Sequence, residues 1–406
     1  MPAQVELAVS GVAAGGEGVA RQDDGRVVFV RGALPGERVT ALVTEERRRF
    51  LRATTVDVID PSPDRVAPPC PLVDAGCGGC GWQHVALDAQ RRMKEGIVVD
   101  ALRRTGGIEP PEPHPGPDLP ATGWRTTVRA AVDDDGGAGF REYRSHDTVS
   151  LEGGCLVAHP LVDEVLRTGH FPPPVEEIVV RAGAATGERL VLARPAAPTG
   201  CEVPSNTLLV GADELAAGRR AWIHEELAGR RWRVSAESFF QSRPDGAEAL
   251  VAEVQAAVGD ALVPGARLVD LYGGVGLFAG VLGAGSGGRV VVVETNRSAL
   301  ADARVNLADL PDVRILGADV RRWRPSATDV LVADPSRQGL GAGVVTRIGA
   351  TGAGALALVS CDAAAIGRDA GLLAADGWSL ESICLVDLFP HTPHVEVVTG
   401  WRQQPR

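Results

Sequence analysis

The chain has 406 residues, which is too long for one ordinary domain and indicates two or three. Apolar residues make up 45% of it and charged residues 23%, so packed cores are expected rather than disorder. The formal net charge of −11 argues against a nucleic-acid partner, because binding to phosphate groups normally needs a basic surface. Local charge can outweigh this total, however, since residues 45–52 (EERRRFLR) place four arginines within eight positions.

No apolar run is long enough to span a bilayer, and the first ten residues lack a basic segment followed by an apolar one. A cytoplasmic protein with no membrane partner is therefore expected. In that compartment, seven cysteines indicate metal binding or catalysis before disulfides. Lys94 is the only lysine, and we attribute the preference for arginine to genome composition rather than to RNA contacts.

Residues 1–60 consist of short alternating segments separated by glycine-rich turns, a pattern that predicts a small β-barrel. Its strands are predicted at 5–9, 27–30, 38–43 and 53–59. The proline-rich stretch 61–69 is predicted to be a linker to a second unit.

Residues 68–238 carry four of the seven cysteines and mix helical with strand-like patterns. A helix is predicted at 87–104, and strands are predicted at 124–132 and 177–182. This region is therefore expected to form an α+β domain.

Residues 239–406 alternate apolar strands with helical stretches, which is typical of a doubly wound, Rossmann-like parallel sheet. The strands are predicted at 267–272, 289–294, 313–316, 329–333 and 355–360. Segments 378–389 and 394–401 have little between them and are predicted to form an antiparallel hairpin at the sheet edge. The fold class expected for the whole chain is thus multidomain α/β.

The first strand of that sheet runs into a glycine-rich turn at 269–278 (VDLYGGVGLF). Glycines allow a tight turn and a close approach of the backbone to a ligand. Glu294 ends the second strand, where a carboxylate can bind both ribose hydroxyls, and Asp319 follows the third, where it could accept from an adenine amino group. These features fit a nicotinamide dinucleotide as well as S-adenosylmethionine.

Residues at later strand ends distinguish the two cofactors. Asp334 follows the fourth strand and Cys361 follows the fifth. Ligands of open α/β sheets bind outside the carboxyl ends of the strands, so we expect Glu294, Asp319, Asp334 and Cys361 to converge at one edge. A thiol and carboxylates beside the cofactor indicate nucleophilic chemistry.

Short motifs follow one another along nearly the whole chain. In order they are GEGVA at 16–20, FVRGALPGE at 29–37, SFFQ at 238–241, DLYGGVG at 270–276, DPSRQG at 334–339, VSC at 359–361, RD at 368–369 and FPHTPHVE at 389–396. Together they resemble the RNA uridine-5-methyltransferase family, in particular its 23S ribosomal RNA members. The resemblance implies that residues 1–60 are a TRAM domain, an OB-type barrel, and that residues 239–406 are a class I methyltransferase domain.

The same resemblance implies a role for individual residues. Cys361 is the implied nucleophile, which adds to C6 of a uridine, and Glu396 is the implied base, which removes the C5 proton after methyl transfer. S-adenosylmethionine is the implied methyl donor, and the residues implied to hold it are Gln241, Tyr272, Glu294, Asp319 and Asp334. The implied partner is RNA, with 23S ribosomal RNA favoured and tRNA possible, and the chain is expected to act as a monomer.

Four positions depart from the family pattern. Asp362 stands where the family usually has Asn, Leu277 and Arg243 each replace an Asn, and His391 replaces a common Gln. These departures leave the nucleophile and the base in place, but they affect what is expected of the substrate and of the fine geometry.

Cys70, Cys77 and Cys80 occur in a glycine-rich stretch, and Cys155 follows 75 residues later. Four thiolates can hold a [4Fe–4S] cluster, and the same spacing could hold tetrahedral zinc. The resemblance to ribosomal RNA methyltransferases favours the cluster, in a structural or RNA-binding role because methyl transfer needs no electron. Cys201 and Cys384 belong to no comparable cluster or motif in the sequence, and structural roles are expected for them.

Two other kinds of protein share part of this pattern. An iron–sulfur oxidoreductase that uses NAD or a flavin would explain the cysteines and the glycine turn, but it leaves Cys361, Glu396 and the barrel without a role. A non-catalytic RNA-binding or iron-sensing protein would not need a cysteine at the sheet edge.

Overall fold

The computed structural model describes residues 3–143, 145, 147–151 and 153–404, so the outermost residues of the first and last predicted regions lie outside the description. The chain forms a closed barrel, a six-stranded sheet, a two-stranded hairpin and an eight-stranded sheet. The multidomain α/β class with an N-terminal barrel is thereby confirmed. No helix within the described residues is long and apolar enough to cross a membrane.

The N-terminal barrel has five strands, closed in the order β1-β2-β3-β5-β4. They are β1 (Gln4–Val12), β2 (Gly18–Arg21), β3 (Val27–Arg31), β4 (Arg38–Glu46) and β5 (Phe50–Asp60). Alternate residues such as Val28 and Val30 face the barrel core, as the period of a strand requires. Sequence analysis predicted four of these strands and missed β2, because four residues are too few to give an alternating pattern.

The barrel contacts the rest of the chain through the turn at Gly16. Gly16 has a φ of +83°, and a Cβ atom there would lie 2.5 Å from the Cβ atom of Pro393. Trp82 Nε1 donates to the Gly16 carbonyl at 2.9 Å, and the Trp82 amide donates to the His391 carbonyl at 2.8 Å. Only glycine combines this backbone conformation with so close a contact. The barrel is therefore joined directly to the C-terminal segment that contains Glu396.

A six-stranded sheet follows in the order β12-β11-β10-β7-β8-β9. The elements from residue 61 to 243 are α1 (Leu87–Arg104), β6 (His114–Pro115), β7 (Thr127–Val132), β8 (Ala138–Arg141), β9 (Thr148–Ser150), α2 (Pro160–Thr168), β10 (Glu177–Ala182), β11 (Arg189–Arg194), β12 (Thr207–Gly211), α3 (Ala212–Ala216), β13 (Trp222–Leu227) and β14 (Arg230–Ser235). Val162 and Val165 of α2 pack against Ile178 and Val180 of β10, which gives this sheet its own core. The hairpin β13-β14 instead shares a core with the large sheet, through the fully buried Trp232.

The large sheet has the order β17-β16-β15-β18-β19-β21-β20-β6. The elements of its C-terminal part are α4 (Pro244–Val258), β15 (Leu268–Leu271), α5 (Leu277–Ser286), β16 (Val290–Glu294), α6 (Arg297–Asn306), β17 (Val313–Gly317), β18 (Val330–Ala333), α7 (Ala342–Gly349), β19 (Ala355–Ser360), α8 (Ala363–Ala375), β20 (Trp378–Leu385) and β21 (Val397–Gln403). Strands β15 to β19 are parallel, and β21 is antiparallel to both β19 and β20. The predicted parallel sheet and the antiparallel hairpin are therefore confirmed, but the hairpin is not the outermost pair, because the short strand β6 lies beyond β20.

Helix α1 occupies the residues at which it was predicted and packs against α8 of the large sheet. The two helices meet closely at Gly367, where a Cβ atom would lie 2.5 Å from the Ala101 carbonyl oxygen. The short strand β6 also pairs with β20 of the same sheet. Both elements belong to the stretch 68–238, so the chain between the barrel and residue 239 contributes to two sheets, and the proposed domain limits stay a prediction.

Candidate active site

The carboxyl ends of the parallel strands surround one cavity of about 590 Å³. The order of the strands reverses between β15 and β18, which is where open α/β sheets bind ligands. Tyr272, Glu294 and Asp319, three of the five residues expected to hold the cofactor, line this cavity. Its volume lies in the range that small-molecule sites occupy.

Glu294 is tied to the glycine-rich turn by its carboxylate. Oε2 accepts from the Gly274 amide at 3.0 Å, and Oε1 accepts from the amides of Thr295 and Asn296 at 2.6 Å each. A carboxylate oxygen can accept two hydrogen bonds, so Oε2 keeps the capacity to accept one more from a ligand. The side chain is thus held in place at the wall of the cavity.

Tyr272 has a φ of +62°, a left-handed conformation that is uncommon outside glycine. Such a backbone costs on the order of 1–3 kcal/mol and persists where the surroundings fix it, as at ligand sites. Burial, together with the negative charge of Asp319, raises the pKa of Tyr272 to about 12. Its hydroxyl is therefore neutral and can both donate and accept.

Asp319 lies at the expected wall of the cavity but is already engaged by Arg321. The Arg321 amide and guanidinium donate to its carboxylate at 2.9 Å and 2.7 Å. These hydrogen bonds hold the pKa of Asp319 at about 2. An adenine amino group would have to share this carboxylate with the guanidinium.

Gln241 and Asp334 lie outside the lining of the cavity and next to each other, with Gln241 Nε2 3.5 Å from Asp334 Oδ2. The segment before Gln241 is held by Asp302 of α6. Its carboxylate accepts from the Ser235 amide at 2.8 Å and from the Ser238 hydroxyl at 2.5 Å. Helix α6 starts just after Glu294, so one element anchors both Glu294 and the Gln241 segment.

Cys361 and Glu396 meet at the end of the β19–β21 pair. In this antiparallel ladder Ser360 lies opposite Val397. Cys361 directly follows the last residue of β19, and Glu396 directly precedes the first residue of β21. The antiparallel register therefore makes Cys361 and Glu396 neighbours. Glu396 is 4% exposed, whereas Cys361 is half-buried and accessible.

The charges around Cys361 oppose its ionisation. Burial raises the pKa of the Cys361 thiol to about 11, the neighbouring Glu396 and Asp334 raise it as well, and the Arg337 cation lowers it. Burial also raises the pKa of Asp334 to about 7. Burial and the charge of Asp334 raise the pKa of Glu396 well above its usual range. Without ligands, the neutral thiol of Cys361 is therefore the favoured form at neutral pH, and burial makes the protonated form of Glu396 more favourable than it is for an exposed carboxyl group.

Each of the four departures from the family pattern has a structural place. Asp362 caps α8 by accepting from the Ala365 amide at 2.8 Å, a position that Asp and Asn fill equally well. Leu277 is buried in the core at the start of α5, and His391 is buried with a φ of +66°. Arg243 is buried and donates to the Asp245 carboxylate and, at 2.7 Å, to the Pro120 carbonyl. None of these four is among the described residues that line the 590 Å³ cavity.

The four cysteines expected to bind a metal line a second cavity. They are Cys70, Cys77, Cys80 and Cys155, and none of them forms a disulfide. Two of their backbone amides are fixed: that of Cys70 donates to Gln83 Oε1 at 3.0 Å and that of Cys155 donates to Asp163 Oδ1 at 2.6 Å. Burial raises the pKa of the Cys80 thiol to about 12, and the negative charge of Cys155 adds to this.

The two remaining cysteines lie elsewhere. Cys384 is buried on β20, and its thiol lies within 4.8 Å of ligand atoms of His114 and Glu253. Burial raises its pKa, as does the charge of Glu253. Cys201 is half-buried in the core of the six-stranded sheet.

Two residues that shape the site, Asp270 and Asp369, stand in motifs that the sequence analysis quoted without giving them a role. Asp270 is fully buried under the glycine turn, its Oδ2 accepts from the Ala279 amide at 3.0 Å, and burial raises its pKa to about 8. Asp369 fixes the loop after Arg337 by accepting from the amides of Leu340 and Gly341 at 2.7 and 3.1 Å. An acidic residue inside an otherwise apolar strand was the available signal for Asp270.

Comparison with known proteins agrees with this architecture. Residues 3–56 match the TRAM domain family. A protein of Streptomyces avermitilis described as an uncharacterized RNA methyltransferase is 39% identical over 98% of this chain and 98% of its own length. The 23S rRNA (uracil(1939)-C(5))-methyltransferase RlmD of Alkalilimnicola ehrlichii is 31% identical over 98% of this chain and 96% of its own length.

A solved structure shares the fold over the whole chain. The Pyrococcus abyssi tRNA (uracil-54, C5)-methyltransferase in complex with S-adenosyl-L-homocysteine has a TM-score of 0.73, covering 98% of this chain and 99% of that one at 23% identity. Fold, site and relatives together define an RNA methyltransferase, which sets the oxidoreductase alternative aside. More narrowly, the chain belongs to the family of RNA (uracil-C5) methyltransferases.

Proposed function

We propose that this chain transfers a methyl group from S-adenosylmethionine to C5 of a uridine in RNA through a covalent adduct with Cys361. The observation that carries the proposal is the register of β19 and β21, which makes Cys361 and Glu396 neighbours at the carboxyl end of the parallel strands, the end at which the cavity lies. One accessible thiol beside one buried carboxyl group is the pair that this chemistry needs.

The thiol of Cys361 gives up its proton to water, and the thiolate sulfur then forms a bond to C6 of the uracil ring. The C5–C6 double bond is thereby consumed, and C5 becomes nucleophilic. Arg337 assists the first step because its positive charge favours the thiolate. After C5 has taken the methyl group, the C6–S bond breaks and the thiolate returns.

Glu396 removes the C5 proton in that last stage, which restores the double bond. Its burial and the nearby charge of Asp334 raise its pKa, so the ionised carboxylate is a stronger base than an exposed one. The proton acceptor and the nucleophile therefore come from two adjacent strands.

S-adenosylmethionine supplies the electrophilic methyl group when it is bound. Tyr272, Glu294 and Asp319 are proposed to hold its nucleoside part, because they line the cavity at the strand ends. Gln241 and Asp334 are proposed to contact its amino acid part, because they lie beside that cavity on the side of Cys361.

Ribosomal RNA is the substrate that we favour, and the chain is proposed to act as a monomer. The relative from Alkalilimnicola ehrlichii is named for 23S rRNA and shares 31% identity along nearly the whole chain. A tRNA substrate is the second candidate, because the Pyrococcus abyssi enzyme with the same fold is named for tRNA.

The cysteine quartet is proposed to hold a [4Fe–4S] cluster rather than zinc. Four sulfurs bound at 2.3 Å to one zinc ion would lie about 3.8 Å apart. Among the described residues, however, no three of these sulfurs all lie within 4.8 Å of one another. The spacing of these sulfurs is thus larger than in the tetrahedron around a single ion, which favours a larger inorganic core.

The decisive experiment traps the adduct. Wild-type protein incubated with 5-fluorouridine-containing rRNA and S-adenosylmethionine should give a protein–RNA species that survives denaturing electrophoresis, because fluorine cannot be removed as a proton. Glu396→Ala should give the same species with natural RNA, and Cys361→Ala should give none with either. Cys201→Ser is the matched control and should behave as wild type.

An adduct that forms without Cys361 would assign the nucleophile to another thiol. If neither fluorinated RNA nor Glu396→Ala yields an adduct, the covalent mechanism is wrong for this chain. Mapping 5-methyluridine in rRNA and tRNA, from cells with and without the gene, decides between the two substrates.

A further inference from the structure

Lys94 stands out in both the composition and the structure. The chain has 41 basic residues, and Lys94 is the only one of them that is not arginine. This one lysine stands at a position whose side chain is 0% exposed. Surface charge therefore cannot be the reason for this lysine.

The ammonium group of Lys94 binds the segment that leads to Glu396. Nζ donates to Asp387 Oδ1 at 2.6 Å and to the Phe389 carbonyl at 3.0 Å. The same carbonyl accepts from the Thr392 hydroxyl at 2.8 Å, so Lys94 supports the turn at its base. One turn earlier on α1, Gln90 Oε1 accepts from the His391 amide at 2.7 Å.

This segment, residues 386–396, is the only chain between β20 and β21, and its two ends are joined. The Val386 amide donates to the Glu396 carbonyl at 2.9 Å. A shift of the turn at 387–392 would therefore be passed to Glu396. Helix α1 holds that turn through Gln90 and Lys94, together with the Trp82 amide, which donates to the His391 carbonyl.

Helix α1 is at the same time fixed against α8, the helix that begins directly after Cys361. Their contact at Gly367 leaves no room for a side chain, because a Cβ atom would lie 2.5 Å from the Ala101 carbonyl oxygen. Helix α1 therefore contacts two parts of the chain. One is α8, which follows Cys361, and the other is the 386–396 segment, which ends at Glu396.

We propose that Lys94 is a positioning residue, which keeps Glu396 at the distance from Cys361 that removal of the C5 proton requires. The proposal rests on the role proposed above for Glu396. Lysine suits the place better than arginine because an ammonium is compact and can aim its donors at a carboxylate and a carbonyl on different sides, whereas a guanidinium is planar and larger.

The test uses Lys94→Met, which keeps the length of the side chain without its charge, and Lys94→Arg, which keeps the charge in another shape. Arg92→Met, on the exposed side of the same helix, is the matched control. For both Lys94 variants we expect kcat to fall between about tenfold and about a hundredfold, which is the effect of a small misplacement of a catalytic group. We expect the KM for RNA and the affinity for S-adenosylhomocysteine to stay within about twofold of wild type.

The specific readout is the covalent species. If Glu396 is misplaced, Lys94→Met should accumulate the adduct with natural RNA, as Glu396→Ala does, whereas a general loss of folding would lower adduct formation instead. Normal kcat in Lys94→Arg, or low kcat without any adduct in a folded Lys94→Met, would overturn the proposal.

Loss of the ammonium leaves the buried Asp387 with only the longer ion pair to Arg91, whose Nε lies 3.8 Å from Asp387 Oδ2, so Lys94→Met can unfold. The double variant Lys94→Met, Asp387→Asn removes both charges and guards against this outcome. It should fold, keep a low kcat and accumulate adduct, because the Phe389 carbonyl still lacks its donor. Wild-type kcat in the double variant would show that the ammonium is not required.

Glu396→Ala is run in parallel to separate the two proposals. If Glu396→Ala gives no adduct, the proposed mechanism itself has failed. If Glu396→Ala gives the adduct and Lys94→Met turns over like wild type, only the role of Lys94 has failed.

Discussion

The negative charge of Asp334 raises the pKa of Glu396 beyond the effect of burial, so these two carboxyl groups influence each other within one buried site. Asp334 itself has a pKa raised to about 7 by its burial. Two carboxyl groups in such a site titrate as a pair, and at most one is readily ionised at neutral pH. Removal of the C5 proton, which needs ionised Glu396, therefore depends on the protonation state of Asp334.

Replacing Asp334 by Asn should shift the pH dependence of adduct breakdown. The rate of this step rises with pH as Glu396 ionises, and loss of the neighbouring negative charge lowers the pKa of Glu396. The acid limb of the pH–rate profile for adduct breakdown should therefore move to lower pH. The profile is measured with the cofactor at saturation. Asp319→Asn is the control, and an unmoved limb in Asp334→Asn would mean that Glu396 is not the base.

Replacing Arg337 by Gln should make Cys361 less reactive. The Arg337 cation lowers the pKa of the Cys361 thiol, so its removal raises that pKa and leaves less thiolate at any pH below it. Alkylation of Cys361 by iodoacetamide, followed by peptide mass spectrometry, should slow at pH 8 to 9. Arg337→Lys keeps the charge and should react nearly as wild type, and Cys201 in the same sample is the internal standard.

Replacing Glu294 by Ala should weaken binding of S-adenosylhomocysteine by about 1–3 kcal/mol, because the ligand loses a charged acceptor and the glycine turn loses its anchor. Isothermal titration calorimetry measures this. Asp312→Ala, an exposed carboxylate before β17 and far from the strand ends that line the cavity, should leave the affinity unchanged. Equal affinities for wild type and Glu294→Ala would remove Glu294 from the cofactor site.

Protein purified without oxygen should be brown and contain about four irons per chain if the quartet holds one cluster. Serine in place of Cys70, Cys77, Cys80 or Cys155 should bleach it and lower its solubility, whereas Cys201→Ser should keep both colour and iron. Colourless protein with one zinc per chain would contradict the cluster and leave the methyltransferase assignment unaffected.

The buried Asp270 should make the protein less stable as the pH rises. Its pKa is raised by burial from an ordinary 3.8 to about 8, so the folded state holds a proton that the unfolded state has released. The stability that this proton provides is complete below about pH 4 and is lost as the pH rises to about 8, a change on the order of a few kcal/mol. Asp270→Asn should lack this loss of stability. Urea unfolding between about pH 5 and pH 8.5 measures the free energy of unfolding of both proteins. Parallel curves of this free energy against pH would contradict the prediction.

Much of this architecture could be predicted because it depends on local pattern. The periodicity of the strands and the helix at 87–104 identified the barrel and the parallel sheet, and the rule on strand ends brought Glu294, Asp319 and Cys361 to one edge. What sequence could not supply is tertiary pairing. Nothing in the local pattern of α1 shows that it lies on the C-terminal sheet, or that Lys94 faces Asp387, which is 293 residues further along the chain.

The chemistry of the site was harder to predict for the same reason. The expectation that Gln241 and Asp334 hold the cofactor came from the resemblance and stays a prediction; both lie outside the lining of the cavity, with Gln241 Nε2 3.5 Å from Asp334 Oδ2. Arg321, which engages Asp319, lies only two residues away, but arginines are so common in this chain that its sequence position gave no signal.

Trp82 connects the cysteine quartet to the segment that carries Glu396. It follows Cys80 by two residues, and its two N–H groups bond the barrel at Gly16 and the 386–396 segment at His391. A cluster that holds Cys80 therefore also holds the tryptophan that ties the barrel to the base-bearing segment. If the quartet holds the proposed cluster, removal of iron should therefore loosen the contact between the barrel and the 386–396 segment, even though methyl transfer needs no electron.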